Sequence, residues 1–286
     1  MYRILHRKQL CESIVELWVE APLVAAKAKA GQFVILRVEE GGERIPLTIA
    51  GAREDGAVRI IFQVVGATTL SLSKLGVGDS ILDFVGPLGR PTHTEGLKRV
   101  CVIGGGVGCA IALPVAATLK EQGCEVCTIA GFRTKDLVML EGDLREASHS
   151  LYLVTDDGSY GSQGRVTTPL SALLQAGESF DMVFAIGPLP MMRAVVETLR
   201  PTGVPVTVSM NPIMIDGTGM CGGCRLTLLR EGKRVTSFAC VEGPDYNGYE
   251  VDFDEAISRS RMYQREERAA HHVACHLMKE GDHGKD

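Results

Sequence analysis

Arg99-Val-Cys-Val-Ile-Gly104-Gly-Gly106-Val-Gly108, continued by the helical stretch 110–122, is the stretch on which the fold turns. Val100, Cys101, Val102 and Ile103 form an unbroken apolar run, the pattern of a strand buried on both faces of a parallel sheet. Gly104, Gly105, Gly106 and Gly108, interrupted only by Val107, follow it. Without Cβ atoms such a turn lets phosphates, or the next helix, come close to the backbone. Strand, glycine turn and helix together open a nucleotide-binding α/β unit.

Downstream, 125–131, 150–155 and 182–187 read as further apolar strands, with helical stretches over 166–175 and 190–199 and a last strand over 204–210. This alternation predicts a parallel sheet with crossover helices. Ligands of such sheets bind outside the carboxyl ends of the strands, here the loops 104–108, 132–136, 156–161 and 187–192. Asp156 and Asp157 read equally as turn residues or helix caps and as nucleotide ligands. Beside a dinucleotide, their carboxylates accept from a ribose hydroxyl and repel a 2′-phosphate, which favours NAD(H) over NADP(H).

Upstream, short strands over 14–20, 32–38, 46–50, 58–64 and 80–85, separated by glycine turns at 40–43 and 55–56, predict a small antiparallel barrel. Arg44, Pro46 and Thr48 alternate around Leu47 and so share one face of an extended chain. A guanidinium and a hydroxyl on one face suit a phosphate and a ring heteroatom, or simply the exposed end of a strand. Gly66, Thr68 and Thr69 open a helix whose first N–H groups either meet a phosphate or form an ordinary cap.

After the α/β region comes Asp216-Gly-Thr-Gly-Met-Cys221-Gly-Gly-Cys224, answered by Cys240 beyond a hairpin, 225–229 and 234–239, turning at Glu231-Gly232. Plant-type [2Fe–2S] ferredoxins space their ligands C-x4-C-x2-C with a distant fourth cysteine. The register fits with Asp216 in the first position, so the ligand set is three thiolates and one carboxylate. Structural zinc, which also accepts sulfur and carboxylate oxygen, and a redox dithiol at Cys221 and Cys224 are the alternatives.

With 286 residues, 45% of them apolar, the chain has material for two or three cores. A net charge of −5 and dispersed Lys and Arg argue against nucleic acid or an anionic membrane as partner. The uncharged run 100–117 is broken by glycines and Pro114 and does not read as a membrane span. The N-terminal residues lack the apolar core of a signal peptide, so a cytoplasmic protein is expected. Nine cysteines then read as metal ligands, catalytic thiols or buried residues rather than disulfides, and Cys124 and Cys127 as core. From Tyr263 on, a charged helix is expected, with His271, His272, Cys275 and His276 on a solvated face.

The barrel with its Arg44-Ile-Pro-Leu-Thr48 strand, the glycine turn, Gly187-Pro-Leu-Pro-Met-Met192 and the cluster loop together resemble the ferredoxin–NADP reductase superfamily. More narrowly, residues 1 to 265 resemble the branch that holds the dihydroorotate dehydrogenase electron-transfer subunit and the small subunit of NADH-dependent ferredoxin:NADP oxidoreductase, the electron-bifurcating transhydrogenase. The segment from Asn211 to Cys224 is similar to the bifurcating subunit; the dihydroorotate branch has cysteine where this chain has Asp216.

The resemblance implies a β plus α/β multi-domain chain: an FAD-binding barrel (1–97), an NAD-binding domain (98–208) and a [2Fe–2S] segment with a C-terminal tail (209–286). It implies flavin contacts at Arg44, Pro46, Leu47, Thr48, Gly66, Thr68 and Thr69, NAD phosphates at Gly104 to Gly108, and nicotinamide near Gly187, Pro188 and Met191. It further implies a larger partner with FAD and [4Fe–4S] clusters that binds NADP(H) and serves ferredoxin. Hydride passes between bound cofactors and needs no side-chain acid or base. The alternatives are a dihydroorotate or sulfide dehydrogenase-type subunit, or a nucleotide-binding subunit with structural zinc.

Overall fold

The computed structural model describes residues 1–262; the segment carrying His271, His272, Cys275 and His276 lies outside the described residues. The first region holds β1 (Tyr2–Cys11), β2 (Ile14–Glu20), a short α1 (Pro22–Ala25), β3 (Phe33–Arg37), β4 (Ile45–Ala52), β5 (Ala57–Gln63), α2 (Ala67–Lys74), β6 (Ser80–Ile81) and β7 (Asp83–Leu88). They pair antiparallel in the order β6-β1-β2-β5-β4-β3-β7, a nearly closed barrel. Alternate residues turn inward, and Ile4, Leu17, Leu36, Ile60, Phe62 and Phe84 fill its core.

β1 is the barrel strand that the sequence reading lacked. Arg3, His6, Arg7, Lys8 and Gln9 supply little apolar alternation, and Ile4 is the one residue of β1 that is fully buried. Pairing with β2 and β6, rather than burial, holds it extended.

The second region runs β8 (Arg99–Gly105), α3 (Gly108–Glu121), β9 (Glu125–Phe132), α4 (Glu141–Glu146), β10 (Ser150–Thr155), β11 (Ser162–Gln163), α5 (Thr167–Gln175), β12 (Met182–Ile186), α6 (Leu189–Leu199) and β13 (Val206–Ser209). The strands from β8 to β13 are mutually parallel, in the order β11-β10-β9-β8-β12-β13. Gly108 lets α3 start against the sheet: a Cβ there would lie 2.3 Å from the Ile186 carbonyl oxygen.

Last come the hairpin β14 (Arg225–Arg230) and β15 (Lys233–Phe238), then β16 (Asp245–Asn247) and α7 (Phe253–Arg259). Glu231 and Gly232 turn the hairpin at φ 51° and 74°, the left-handed pair that a two-residue connection requires. β13 is not the sheet's edge: β16 returns from the cluster region and adds antiparallel to it. Barrel and parallel sheet meet over α3, where Ile14, Ala50 and Ile61 share a core with Ala110 and Leu113. Among the described residues no helix is long and apolar enough to cross a membrane.

Candidate cofactor cleft and cluster loop

A cleft of about 690 Å³ opens between β4 of the barrel and the carboxyl ends of the parallel strands. Pro46 and Thr48 form its barrel wall. Opposite them stand Gly105, Gly106, Val107 and Gly108 from the glycine turn, Gly187, Pro188 and Met191 from the start of α6, and Asp156 after β10. A parallel sheet collects its βα loops at one end, which is why three stretches spaced along about 90 residues face one space.

Gly106 adopts φ +55° with open space beside it, so the backbone there is bare to an incoming group. Met191 fills room left by two glycines: its sulfur lies 2.2 Å from where a Cβ of Gly105 would stand, and its methyl 2.8 Å from that of Gly187. Gly104 sits behind this wall, buried against Cys109.

Other expected residues stand elsewhere. Arg44 turns toward Asp83 (3.5 Å), which Arg37 already holds at 2.8 Å, and Leu47 packs on the barrel core. The Thr69 hydroxyl accepts from the N–H groups of Val65 (3.0 Å) and Gly66 (2.9 Å), so it caps α2. Thr68 points its hydroxyl to Glu43 at 3.5 Å. Asp157 folds back on its own loop, accepting from the Ser159 hydroxyl (2.6 Å) and N–H (3.0 Å), which hold its carboxyl below the ordinary carboxylate value.

The cleft also holds residues to which the sequence reading gave no individual role. Arg133 and Arg165 line it beside Asp156, and Asn211 and Met214 line it from the segment that leads to the cluster loop. Arg133 follows β9 directly, the one signal that placed it at a ligand-facing end.

Gly217, Gly219 and Gly222 take φ of +77°, +86° and +66°, and so wrap the cluster loop tightly. Asp216 accepts from the N–H groups of Thr218 (2.8 Å) and Cys221 (2.6 Å), and these donors, Thr218 foremost, hold its carboxyl below the ordinary range. Across the loop the buried thiols of Cys224 and Cys240 lie 3.1 Å apart, and burial together with Cys224 pushes Cys240 up to about 12. The donors thus stand as two pairs, Asp216 with Cys221 and Cys224 with Cys240. Among the described residues no three His, Cys, Asp or Glu side chains converge as a single ion would need. Three sulfurs and a carboxylate in two pairs fit a two-iron group.

The loop leans on the barrel. A Cβ on Gly217 would lie 2.8 Å from Ile35 Cδ1, and Ile35 is the β3 partner of Pro46 in the cleft wall.

The family model of the iron-sulfur cluster binding domain of dihydroorotate dehydrogenase B matches residues 211–252. A Thermotoga maritima homolog of the dihydroorotate dehydrogenase B (NAD(+)) electron transfer subunit is 44% identical, over 94% of this chain and 93% of its own. The chain belongs to the dihydroorotate dehydrogenase B electron-transfer subunit family. It is an electron-transfer subunit of the flavin and iron–sulfur oxidoreductases.

Within that family, the Geobacillus thermodenitrificans dihydroorotate dehydrogenase B electron transfer subunit is 32% identical over 87% of this chain and 96% of its own. A chain of the NADH-dependent reduced ferredoxin-NADP oxidoreductase, solved for its flavin-based electron bifurcation, superposes with a TM-score of 0.89 at 41% identity, covering 96% of this chain and 97% of that one.

Proposed function

We propose that this electron-transfer subunit carries electrons between NAD(H), FAD and a [2Fe–2S] cluster, and exchanges them with a larger flavin and iron–sulfur subunit, as the small subunit of an NADH-dependent reduced ferredoxin–NADP oxidoreductase. The observation that carries the reading is the continuous wall from cleft to cluster loop: Pro46 pairs with Ile35, Ile35 touches Gly217, and Met214 lines the cleft two residues before Asp216. Support for the choice of complex is the 41% identity to a chain of that oxidoreductase over nearly the whole length, together with Asp216 in the first ligand position.

Bound, the flavin and the cluster supply the conversion between two-electron and one-electron transfer. The chain's residues hold and orient them. Pro46 and Thr48 bound the flavin ring, while Arg44, Gly66 and Thr68 serve its phosphate side at the start of α2, which Thr69 caps and behind which Leu47 packs on the barrel core. Gly105 to Gly108 offer bare backbone to the dinucleotide's phosphates, with Gly104 giving α3 its close approach. Gly187, Pro188 and Met191 border the nicotinamide, and Asp156 takes a ribose diol. Asp157, spent on Ser159, shapes that loop. Asp216, Cys221, Cys224 and Cys240 ligate the cluster.

The partner is a larger subunit with FAD and [4Fe–4S] clusters that binds NADP(H) and serves ferredoxin, and the complex is cytoplasmic. The test is an anaerobic absorption and EPR titration of the purified chain with NADH, with iron, sulfide and flavin quantified. Flavin bleaching with a reduced [2Fe–2S] signal is expected; stoichiometric zinc without acid-labile sulfide would overturn the reading. A dihydroorotate-oxidising partner after gentle purification would move the chain to the dihydroorotate complex.

A further inference from the structure

Loop 156–161, which presents Asp156 to the cleft, is tied down at every side. The Thr155 hydroxyl, fully buried, donates to the Tyr160 carbonyl (2.7 Å) and accepts from the Tyr160 N–H (3.1 Å). The Lys135 N–H donates to the Ser159 hydroxyl at 2.8 Å, joining the loop to the one after β9. The Tyr160 phenol donates to the Glu141 carboxylate at 2.9 Å, joining it to α4. Glu141 is placed at a cost. Leu140 just before it adopts φ 57°, ψ 21°, a left-handed conformation unfavourable to a residue with a Cβ. Such strain persists where surrounding contacts over-determine it, and it clusters at functional sites. Asp156 itself is exposed in the cleft.

We infer that Glu141 and Tyr160 are positioning residues of the nucleotide site, fixing loop 156–161 to α4 so that the Asp156 carboxylate meets a ribose diol already ordered. The inference rests on the proposal that the cleft takes NAD(H), and it identifies the half of the cofactor served. In the strand order β10-β9-β8-β12, the end of β10 that carries Asp156 lies three strand spacings, about 14 Å, from the end of β12, which leads through Gly187 into α6 and Met191. With the nicotinamide at Met191, the ribose at Asp156 is that of the adenosine half. A carboxylate on a pre-ordered loop binds without the entropic cost of ordering it.

The test uses the full chain with its flavin and cluster, in anaerobic stopped-flow reduction by NADH and by reduced nicotinamide mononucleotide, which lacks the adenosine half. In Tyr160→Phe and Glu141→Ala the Kd for NADH rises about five- to tenfold, as for loss of one ordinary hydrogen bond at an exposed position, and the limiting rate of flavin reduction stays unchanged. Glu141→Gln, which keeps an acceptor for the phenol, recovers most of the affinity. Reduction by the mononucleotide is the same in all. Unchanged NADH affinity in Tyr160→Phe and Glu141→Ala, or an equal loss with the mononucleotide, would overturn the inference. A wild-type flavin that neither nucleotide reduces would overturn instead the NAD(H) reading on which it stands.

Discussion

Gly217 of the cluster loop lies directly against Ile35 of the barrel, so close that a Cβ at 217 would stand 2.8 Å from Ile35 Cδ1 and 2.6 Å from Leu88 Cδ1. The contact holds cluster and cleft walls in one register, because Ile35 is paired to Pro46.

Gly217→Ala therefore meets both a left-handed backbone (φ +77°) and a filled space. The expected loss of stability is about 2–5 kcal/mol, the sum of the backbone term and overpacking, with less iron retained per chain. Gly219→Ala meets only one close atom, Val241 Cγ2, on a side chain 43% exposed that is free to move, so its loss is smaller. Denaturant unfolding and iron analysis of both variants check the order.

The glycine turn gives a second contrast. In Gly108→Ala the methyl meets the Ile186 carbonyl at 2.3 Å, backbone against backbone, which can be relieved only by lifting α3 from the sheet. A loss of about 3 kcal/mol or more is expected, with NADH binding abolished. Gly106→Ala has open space, so only the positive φ is charged, about 1–2 kcal/mol. Thermal unfolding should separate the two, and equal losses would contradict the geometry.

Asp216→Cys replaces a hard oxygen donor by a thiolate at the first ligand position. The cluster should assemble with a shifted visible spectrum and reduction potential. Identical spectra and potentials in variant and parent would mean that Asp216 shapes the loop through Thr218 and Cys221 without ligating iron.

Two carboxylates give stability opposite dependences on pH. The N–H groups of Arg99 and Lys98 hold Asp181 below its ordinary value of 3.8, so the unfolded chain binds the proton more readily. Its contribution is present above 3.8 and is lost as pH falls below it. Burial pushes Asp245 above the same value, against the opposing hydrogen bonds from Thr92 (2.5 Å) and Ser209, so the folded chain holds the proton more tightly. Its contribution is present below 3.8 and is lost as pH rises through the higher folded value. Unfolding across the acid range should show Asp181→Asn losing stability above 3.8 only, and Asp245→Asn gaining on the parent as pH rises.

Elements written in local pattern were legible in the sequence. The run from Val100 through the glycines to α3 was one, and the Glu231-Gly232 hairpin was another, because a buried strand, a helix start and a left-handed turn each select residue types within a few positions. β1 and β16 were not legible. The first is mostly polar and the second is three residues long, and each is held by partners far along the chain.

By itself the sequence determined the two sheet types, the glycine turn before α3 and the spacing of Asp216, Cys221, Cys224 and Cys240, since periodicity, glycine content and residue spacing are local properties of a chain. Only the tertiary structure decided which residues share the cleft. It brought Arg133, Arg165 and Asn211 to the wall and turned Thr69 and Asp157 into the caps of their own loops. The register of parallel strands fixes which loop ends meet, and a hydroxyl or carboxylate bonds first to the unpaired N–H groups its own turn leaves beside it.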